Sequence, residues 1–483
     1  MRVLAVASEA FPVLKTGGLA DVVGALPDAL GSQSIEAVTL LPGYPAVLGS
    51  LTRRETLAHF PALFGGAASL LGGTAGGLHI LALDAPHLYA RPGSPYLAPD
   101  GKDWPDNWRR FAALAEVAAD IGRGRVPAFV PDLVHAHDWQ AALAAVYLRY
   151  GATPAPPCVV TIHNLAFQGN FAGSIFPELG LPQRAFAIDG VEYYGGVSFL
   201  KGGIATADAI TTVSPTYAEE IKTPEGGMGL DGLLRARADV LHGIVNGIDT
   251  KVWNPGADPF LPQPYRSSSL PRRRANKRMV EQRFGLDSED GLLIALICRL
   301  TWQKGIDLVV ELADEFLALG IRLAVLGAGE AALEGAIAEL VARNPGRIGT
   351  LRALDEAAAH LVQGGADAIL IPSRFEPCGL TQQCALRYGA VPIVSRVGGH
   401  VDTVIDANDA ALAAGVATGI VFSPVSVAGL RHAVYRASSL YADKPAWARL
   451  QRRGMSGDLS WTRSAARYAA LFANVANARR KLP

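Results

Sequence analysis

Two loops in this chain combine cations with glycine in the way that holds phosphate. Lys15-Thr16-Gly17-Gly18 follows the apolar run from Val3 to Ala7, and Arg299-Leu300-Thr301-Trp302-Gln303-Lys304-Gly305 follows the run from Leu292 to Ile297. Each opens a segment of helical period, so positive side chains stand beside a helix N-terminus, where unpaired N–H groups and the helix dipole also favour negative charge. Glycine lets the backbone of the first loop approach an anion closely. In the second loop, Arg299 can hold two phosphate oxygens at once, while Lys304 acts as a point charge. The plainer alternatives are a surface lysine in a glycine turn and ion pairs of Arg299 and Lys304 with a neighbour such as Asp307. Two such loops in two similar halves favour one anionic ligand held across a cleft.

Other polar residues fall at strand ends. Ser373-Arg374-Phe375-Glu376-Pro377-Cys378-Gly379-Leu380-Thr381 follows the run Ala368–Ile371 and begins another helix. Glu376 is thereby placed at the carboxyl end of a parallel strand, where open α/β sheets bind ligands. Its carboxylate can hold sugar hydroxyls, and the N–H groups of Gly379 and Leu380 can face phosphate; a helix-capping acid is the alternative. In the first half, His135-Ala136-His137-Asp138-Trp139 and Thr161-Ile162-His163-Asn164 end two strands. His135 and His137 share one strand face, but no third ligand stands at a supporting spacing, so buried hydrogen-bonded histidines are the better reading. Asp138 and His163 are the better candidates for contacts with substrate. Gly327-Ala328-Gly329-Glu330-Ala331-Ala332 imitates a dinucleotide fingerprint, yet its third glycine is replaced by Ala332 and it follows a second strand. A tight turn with helix packing explains it better.

These residues need a scaffold of alternating strands and helices. Short apolar runs recur at Val38–Leu41, His79–Leu83, Leu133–His137, Val159–Ile162, Ala209–Val213 and Leu241–Val245. The second half has them at Leu292–Ile297, Leu323–Leu326, Ala368–Ile371, Val391–Ser395 and Gly419–Phe422. Helical patterns between them imply an α/β fold with parallel sheets covered on both faces. Leu19, Val22, Val23, Leu26 and Leu30 make one helix face, which Pro27 should kink or end early.

At 483 residues the chain is expected to form two domains. The expected division is 1–253, a linker at 254–274 that is rich in Pro, Ser and Arg, a second domain at 275–459, and a terminal amphipathic helix within 460–483. Lys and Arg total 44, as do Asp and Glu, so no basic excess points to nucleic acid or to a membrane surface. The segment from Phe60 to Leu83 has no charged residue, but Gly65, Gly66, Gly72, Gly73, Gly76 and Gly77 favour strands and turns over a membrane helix. The four cysteines have no metal or disulfide spacing, which suits a reducing cytoplasm.

Taken together, the motifs resemble the bacterial glycogen synthase and plant starch synthase family. The matching pieces are KTGGLADV from Lys15, PGYP from Pro42, HAHDWQ from His135, TIHNLAFQG from Thr161, SFLKGG from Ser198 and GIVNGID from Gly243. They continue with RLTWQKG from Arg299, SRFEPCGLTQ from Ser373 and DTV from Asp402, and span nearly the whole chain. The resemblance implies a GT-B type fold, with two Rossmann-like domains facing a deep interdomain cleft. It implies glucose transfer from ADP-glucose to the 4-hydroxyl end of glycogen or another α-1,4-glucan, with retention and with no metal or other cofactor. Lys15, His163, Arg299, Lys304 and Glu376 would be the catalytic set. Gly17, Gly18, Asp21, Asp138, Asn164, Asn246, Gln303, Ser373, Cys378, Gly379, Leu380 and Thr381 would contact substrate. The terminal helix would pack back on the first domain.

The chain departs from the family at Leu354, where tyrosine is usual, at Cys384, where tyrosine stands, and at Val397 and His400 in a Thr-Gly-Gly-Leu motif. These changes imply a looser or altered nucleotide preference. UDP-glucose or another donor, a glucan- or nucleotide-binding homologue with weakened turnover, and a dinucleotide oxidoreductase are the competing readings.

Overall fold

The computed structural model describes residues 1–151, 155–352 and 355–480. The chain forms two compact units, Met1–Asn246 together with Trp461–Pro483, and Gly247–Ser460. The division therefore falls before the expected boundary at 253, and the segment 254–274 is part of the second unit rather than a linker. Tyr265 is 1% exposed and donates to the Tyr388 carbonyl at 2.6 Å. Arg273, also buried, donates to the carbonyls of Gln363 and Ala366, and Asp258 accepts from Tyr388 and faces His360 Nδ1 at 2.7 Å. The partners that bury this segment lie 90 to 130 residues further along, so local composition misreads it as a linker.

The first unit is built on a sheet that, among the described residues, has nine strands. In chain order they are β1 Arg2–Val6, β2 Glu36–Pro42, β3 Thr52–Leu63, β4 Gly66–Ala75, β5 Leu78–Asp84, β6 Leu133–His137 and β7 Cys158–Ile162, then β11 Ala209–Thr212 and β12 Leu241–Gly243, with β8 Asn170–Phe171, β9 Glu192–Tyr193 and β10 Gly196–Ser198 forming a separate small sheet. The spatial order is β12-β11-β7-β6-β1-β2-β5-β4-β3. Seven of these strands run parallel, and β3 and β4 are antiparallel additions at one edge. The uncharged glycine-rich segment is thus β-structure, with Gly65, Gly76 and Gly77 at positive φ in its turns. Among the described residues no helix is long and apolar enough to cross a membrane.

Helix Gly18–Gly31 runs through Pro27 instead of ending there. Leu19, Val22, Val23, Leu26 and Leu30 are all buried, and burial of side chains of this size contributes about 1.5–3 kcal/mol each. That sum exceeds the ~3 kcal/mol a helical proline costs. Helix Thr462–Arg480 packs on the same unit: Trp461, Ala465, Tyr468 and Phe472 join Val3, Val22, Leu26, Leu30, Leu133 and Val159 in one buried cluster.

The second unit has six strands among the described residues: β13 Leu293–Ile297, β14 Arg322–Leu326, β15 Ile348–Leu351, β16 Ala368–Ile371, β17 Val391–Ser395 and β18 Ile420–Phe422. All are parallel, in the order β15-β14-β13-β16-β17-β18. Numbered within the unit this is 3-2-1-4-5-6, the doubly wound order, which changes direction between β13 and β16. Both faces are covered by buried apolar clusters, so the strands read as continuous apolar runs.

Candidate active site

In the second unit, the segments after β13 and β16 carry the polar residues, and they meet at the reversal point where such sheets bind ligands. Lys304 Nζ contacts Glu376 Oε2, and the Ser373 hydroxyl donates to the same oxygen at 2.9 Å. Burial pushes the Glu376 carboxyl up, but the Lys304 charge, the neighbouring His400 ring and the hydrogen bonds from Lys304 and Ser373 outweigh it and hold the group below its usual range. A buried carboxylate is therefore kept ionised beside a half-buried ammonium. Arg299 is exposed at the end of β13 and has no ion-pair partner among the described residues.

The alternative pairing with Asp307 does not form. Arg374 takes that carboxylate, with bonds of 2.7 and 2.6 Å, and lies 4.3 Å over the Trp302 ring. The Arg374 backbone N–H also donates to the Gln303 carbonyl at 2.8 Å, and the Gln303 side-chain amide donates to Phe375 O at 3.1 Å. These bonds clamp the two loops together and leave Arg299 and Lys304 unoccupied by Asp307. Two glycines fix the approach. Gly305 has φ +69°, and a Cβ there would lie 2.2 Å from the Pro372 carbonyl oxygen; a Cβ on Gly398, at φ +39°, would lie 2.0 Å from Glu376 O.

The other expected contact residues lie on the same rim. Gly379, at φ +68°, precedes helix Thr381–Tyr388, with Cys378 buried and Leu380 and Thr381 half-buried. Cys384 is 3% exposed, so the smaller side chain fills packed interior instead of a face offered to a ligand. His400 is fully buried, with Nδ1 3.1 Å from the Ser395 carbonyl, and burial lowers its pKa to about 4. Val397 caps the short helix Gly398–Thr403. Leu354 lies outside the described residues. The fingerprint-like turn packs tightly: Cβ atoms on Gly327 and Gly329 would lie 1.9 and 2.2 Å from the carbonyls of Cys298 and Leu300.

In the first unit, Lys15 pairs with Asp21 at 2.9 Å and lies 5.3 Å over the Phe11 ring. Gly17 is extended and caps helix Gly18–Gly31, and nothing lies within 4 Å of where its Cβ would be. Neither packing nor backbone strain requires glycine at 17. The loop is held by a residue the motifs did not single out. Glu9, 3% exposed, accepts the Thr16 N–H and hydroxyl, the latter at 2.8 Å, and the Tyr96 hydroxyl at 2.9 Å. Its burial outweighs these bonds and raises its pKa. A lone Glu after a strand carries no sequence signal for that role.

Asp138 opens helix Asp138–Tyr150 at φ +56°, a conformation that costs an aspartate energy and clusters at functional sites. It accepts the N–H groups of His163 at 2.7 Å and Asn164 at 3.4 Å, and burial pushes its pKa to about 7. His163 Nε2 lies 2.9 Å from His137 Nδ1, and His135 Nε2 lies 2.6 Å from the Thr161 hydroxyl. Burial lowers all three histidine pKa values, His137 to about 3, so the rings are neutral. His135 and His137 are interior residues, 1% exposed. Asn246 is 5% exposed, at the end of the unit's first segment. Among the described residues no group of three or more His, Cys, Asp or Glu is placed to hold a metal.

The chain is similar to known proteins over nearly its whole length. Residues 2–236 match the family described as starch synthase catalytic domain, and residues 279–447 match glycosyl transferases group 1. A glycogen synthase of Rhizobium etli is 59% identical over 98% of this chain and 99% of its own, and one of Acidiphilium cryptum is 57% identical over 98% and 99%. The catalytic domain of starch synthase IV from Arabidopsis thaliana, bound to ADP and acarbose, superposes with a TM-score of 0.90 at 31% identity, over 98% of this chain and 99% of that one. The two units are those of the B-type glycosyltransferase fold. A chain that aligns end to end with these proteins, on this fold, belongs to the glycogen synthase and starch synthase family of glucosyltransferases.

Proposed function

We propose that the protein transfers glucose from ADP-glucose to the non-reducing 4-hydroxyl end of an α-1,4-glucan such as glycogen, with retained configuration, without a metal ion, and in the cytoplasm. The observation that carries this reading is the Lys304–Glu376 pair, with Arg299 exposed two residues past the end of β13, at the reversal point of the 3-2-1-4-5-6 sheet. Cleaving the bond between the glucose carbon and the diphosphate leaves negative charge on ADP. Fixed cations aimed at that charge lower the barrier, each such group contributing about 3–4 kcal/mol. Arg299 and Lys304 supply those cations. Ionised Glu376 orients Lys304 and accepts sugar hydroxyls, while Ser373, Gln303, Cys378, Gly379, Leu380 and Thr381 line the nucleotide-sugar side.

In the first unit, Lys15 and the open backbone at Gly17 and Gly18 form a second anion-holding loop. Asp138, through the backbone of His163 and Asn164, holds the neutral His163 imidazole in place. Asn164, Asn246 and Asp21 complete the polar groups offered to sugar. The purified protein, given labelled ADP-glucose and glycogen with EDTA present, should lengthen the glucan; no transfer from any nucleotide sugar rejects the reading. Running UDP-glucose alongside decides donor preference.

A further inference from the structure

The ring of His163 has a neighbour that the transfer chemistry does not use. His137 ends β6 and stands opposite Thr161 in the parallel pairing with β7, which brings His163, two residues further on, level with it. His163 Nε2 lies 2.9 Å from His137 Nδ1, with ring centroids 5.2 Å apart. Both rings are neutral, because burial lowers their pKa values. A neutral imidazole carries one N–H and one bare nitrogen, so one proton fills this contact and its side fixes both tautomers. His135 turns to a different partner: its Nε2 faces the Thr161 hydroxyl, which is 2.6 Å from the Thr211 hydroxyl.

The surroundings of His137 put the proton on its side. The residue is 1% exposed, and its second nitrogen, Nε2, has no hydrogen-bond partner among the described residues. It borders a cavity of about 10 Å³ whose lining side chains, His135 and His137 apart, are all apolar, among them Val3, Val23, Leu26 and Leu30. Such a space is at the lower limit for one water and offers that water no side-chain partner besides the two rings. If His163 donated, the His137 proton would have to move to Nε2 and be buried there unpaired. Orphaned N–H groups are rarer than under-used acceptors, because a buried polar hydrogen without an acceptor costs its desolvation. Nε2 therefore stays bare, and Nδ1–H donates to His163. We propose that His137 is a positioning residue, locking His163 with its own proton on Nδ1. His163 is half-buried, and Nδ1 is its one ring nitrogen left unpaired among the described residues. It is thereby a fixed hydrogen-bond donor to a sugar oxygen, and with its lone pair spent on His137 it cannot serve as a general base. What Nδ1 meets rests on the transfer reading above, whereas the tautomer belongs to the folded chain alone.

Nitrogen NMR of the full chain, carrying isotopically labelled histidine, tests this. The His163 signals, identified by their loss in His163→Asn, should show a protonated Nδ1 and a bare Nε2. His137→Leu removes the donor and should move the proton to Nε2. His137→Asn, whose amide can donate from nearly the same place, should keep it on Nδ1. With labelled ADP-glucose and glycogen, His137→Leu should lower kcat about tenfold, the equivalent of one hydrogen bond, with little change in KM for the glucan, and His137→Asn should recover most of the loss. A proton on Nε2 in the parent, or still on Nδ1 in a folded His137→Leu protein, overturns the proposal, and neither reading needs turnover. Unchanged kcat in a His137→Leu protein whose tautomer has switched also overturns it. If His137→Leu does not fold, the parent signal decides. The expected tautomers in a parent that transfers glucose from no nucleotide sugar would reject the transfer reading and still support the His137 lock.

Discussion

Glu376 and Lys304 stabilise each other's charge in a largely buried setting, and neither tolerates losing the other. Removing one partner of such a pair costs about 3–5 kcal/mol, because the remaining charge is left uncompensated. Lys304→Ala should lower the unfolding free energy by about that amount, and Lys304→Ala with Glu376→Gln should recover part of it; chemical denaturation of the three proteins checks this. Gly17 behaves differently. Nothing in the protein opposes a Cβ there, so Gly17→Ala should change stability by less than ~0.5 kcal/mol while raising the KM for the nucleotide sugar. A large loss of melting temperature with unchanged kinetics would count against an anion-holding role for that backbone.

Asp138 makes a pH prediction. Its folded pKa, about 7, lies above the ordinary aspartate value of 3.8, so the folded state binds the proton more tightly. Its stabilising contribution is complete below about pH 4 and is lost as pH rises through 7, by a few kcal/mol in all. Asp138→Asn cannot ionise, so its unfolding free energy should fall less than that of the parent between pH 5 and pH 8.

Elements differ in how plainly the chain announces them. Strands buried on both faces, such as β13 and β16, are unbroken apolar runs. β15, with the sequence Ile348-Gly349-Thr350-Leu351, is short and holds a glycine, and β3 is mostly exposed and carries Arg53, Arg54 and Glu55 near its start, so neither stands out. The two- and three-residue strands of the small sheet have no periodicity to detect. Helix Gly18–Gly31 shows the converse, with a proline whose local signal is overridden by five buried side chains. Helix Thr462–Arg480 is legible from its apolar spacing, and its burial makes a test: Phe472→Ala, at a fully buried position, should cost about 3–5 kcal/mol, read from denaturant unfolding of the full chain.

Across the whole molecule, most motif residues are legible because they sit in the segment or first helical turn that follows a strand, and that grammar is local. What supports them is not. Arg374 reaches Asp307 across 67 residues, Tyr96 reaches Glu9 across 87, and Tyr388 reaches Asp258 across 130. Such pairs depend on sheet order, which no short window of sequence contains, and the same long reach turns a linker-like segment into part of the second unit. The central claim remains that Arg299 and Lys304 do the electrostatic work on the departing diphosphate. Its most direct test is the initial rate of labelled glucose transfer from ADP-glucose to glycogen, with EDTA, for the parent and for Lys304→Gln checked for folding. The account predicts EDTA-resistant transfer by the parent and a fall of about 10²–10³-fold in kcat for the folded variant. Transfer that stops with EDTA, or a folded Lys304→Gln protein with unchanged kcat, would contradict it.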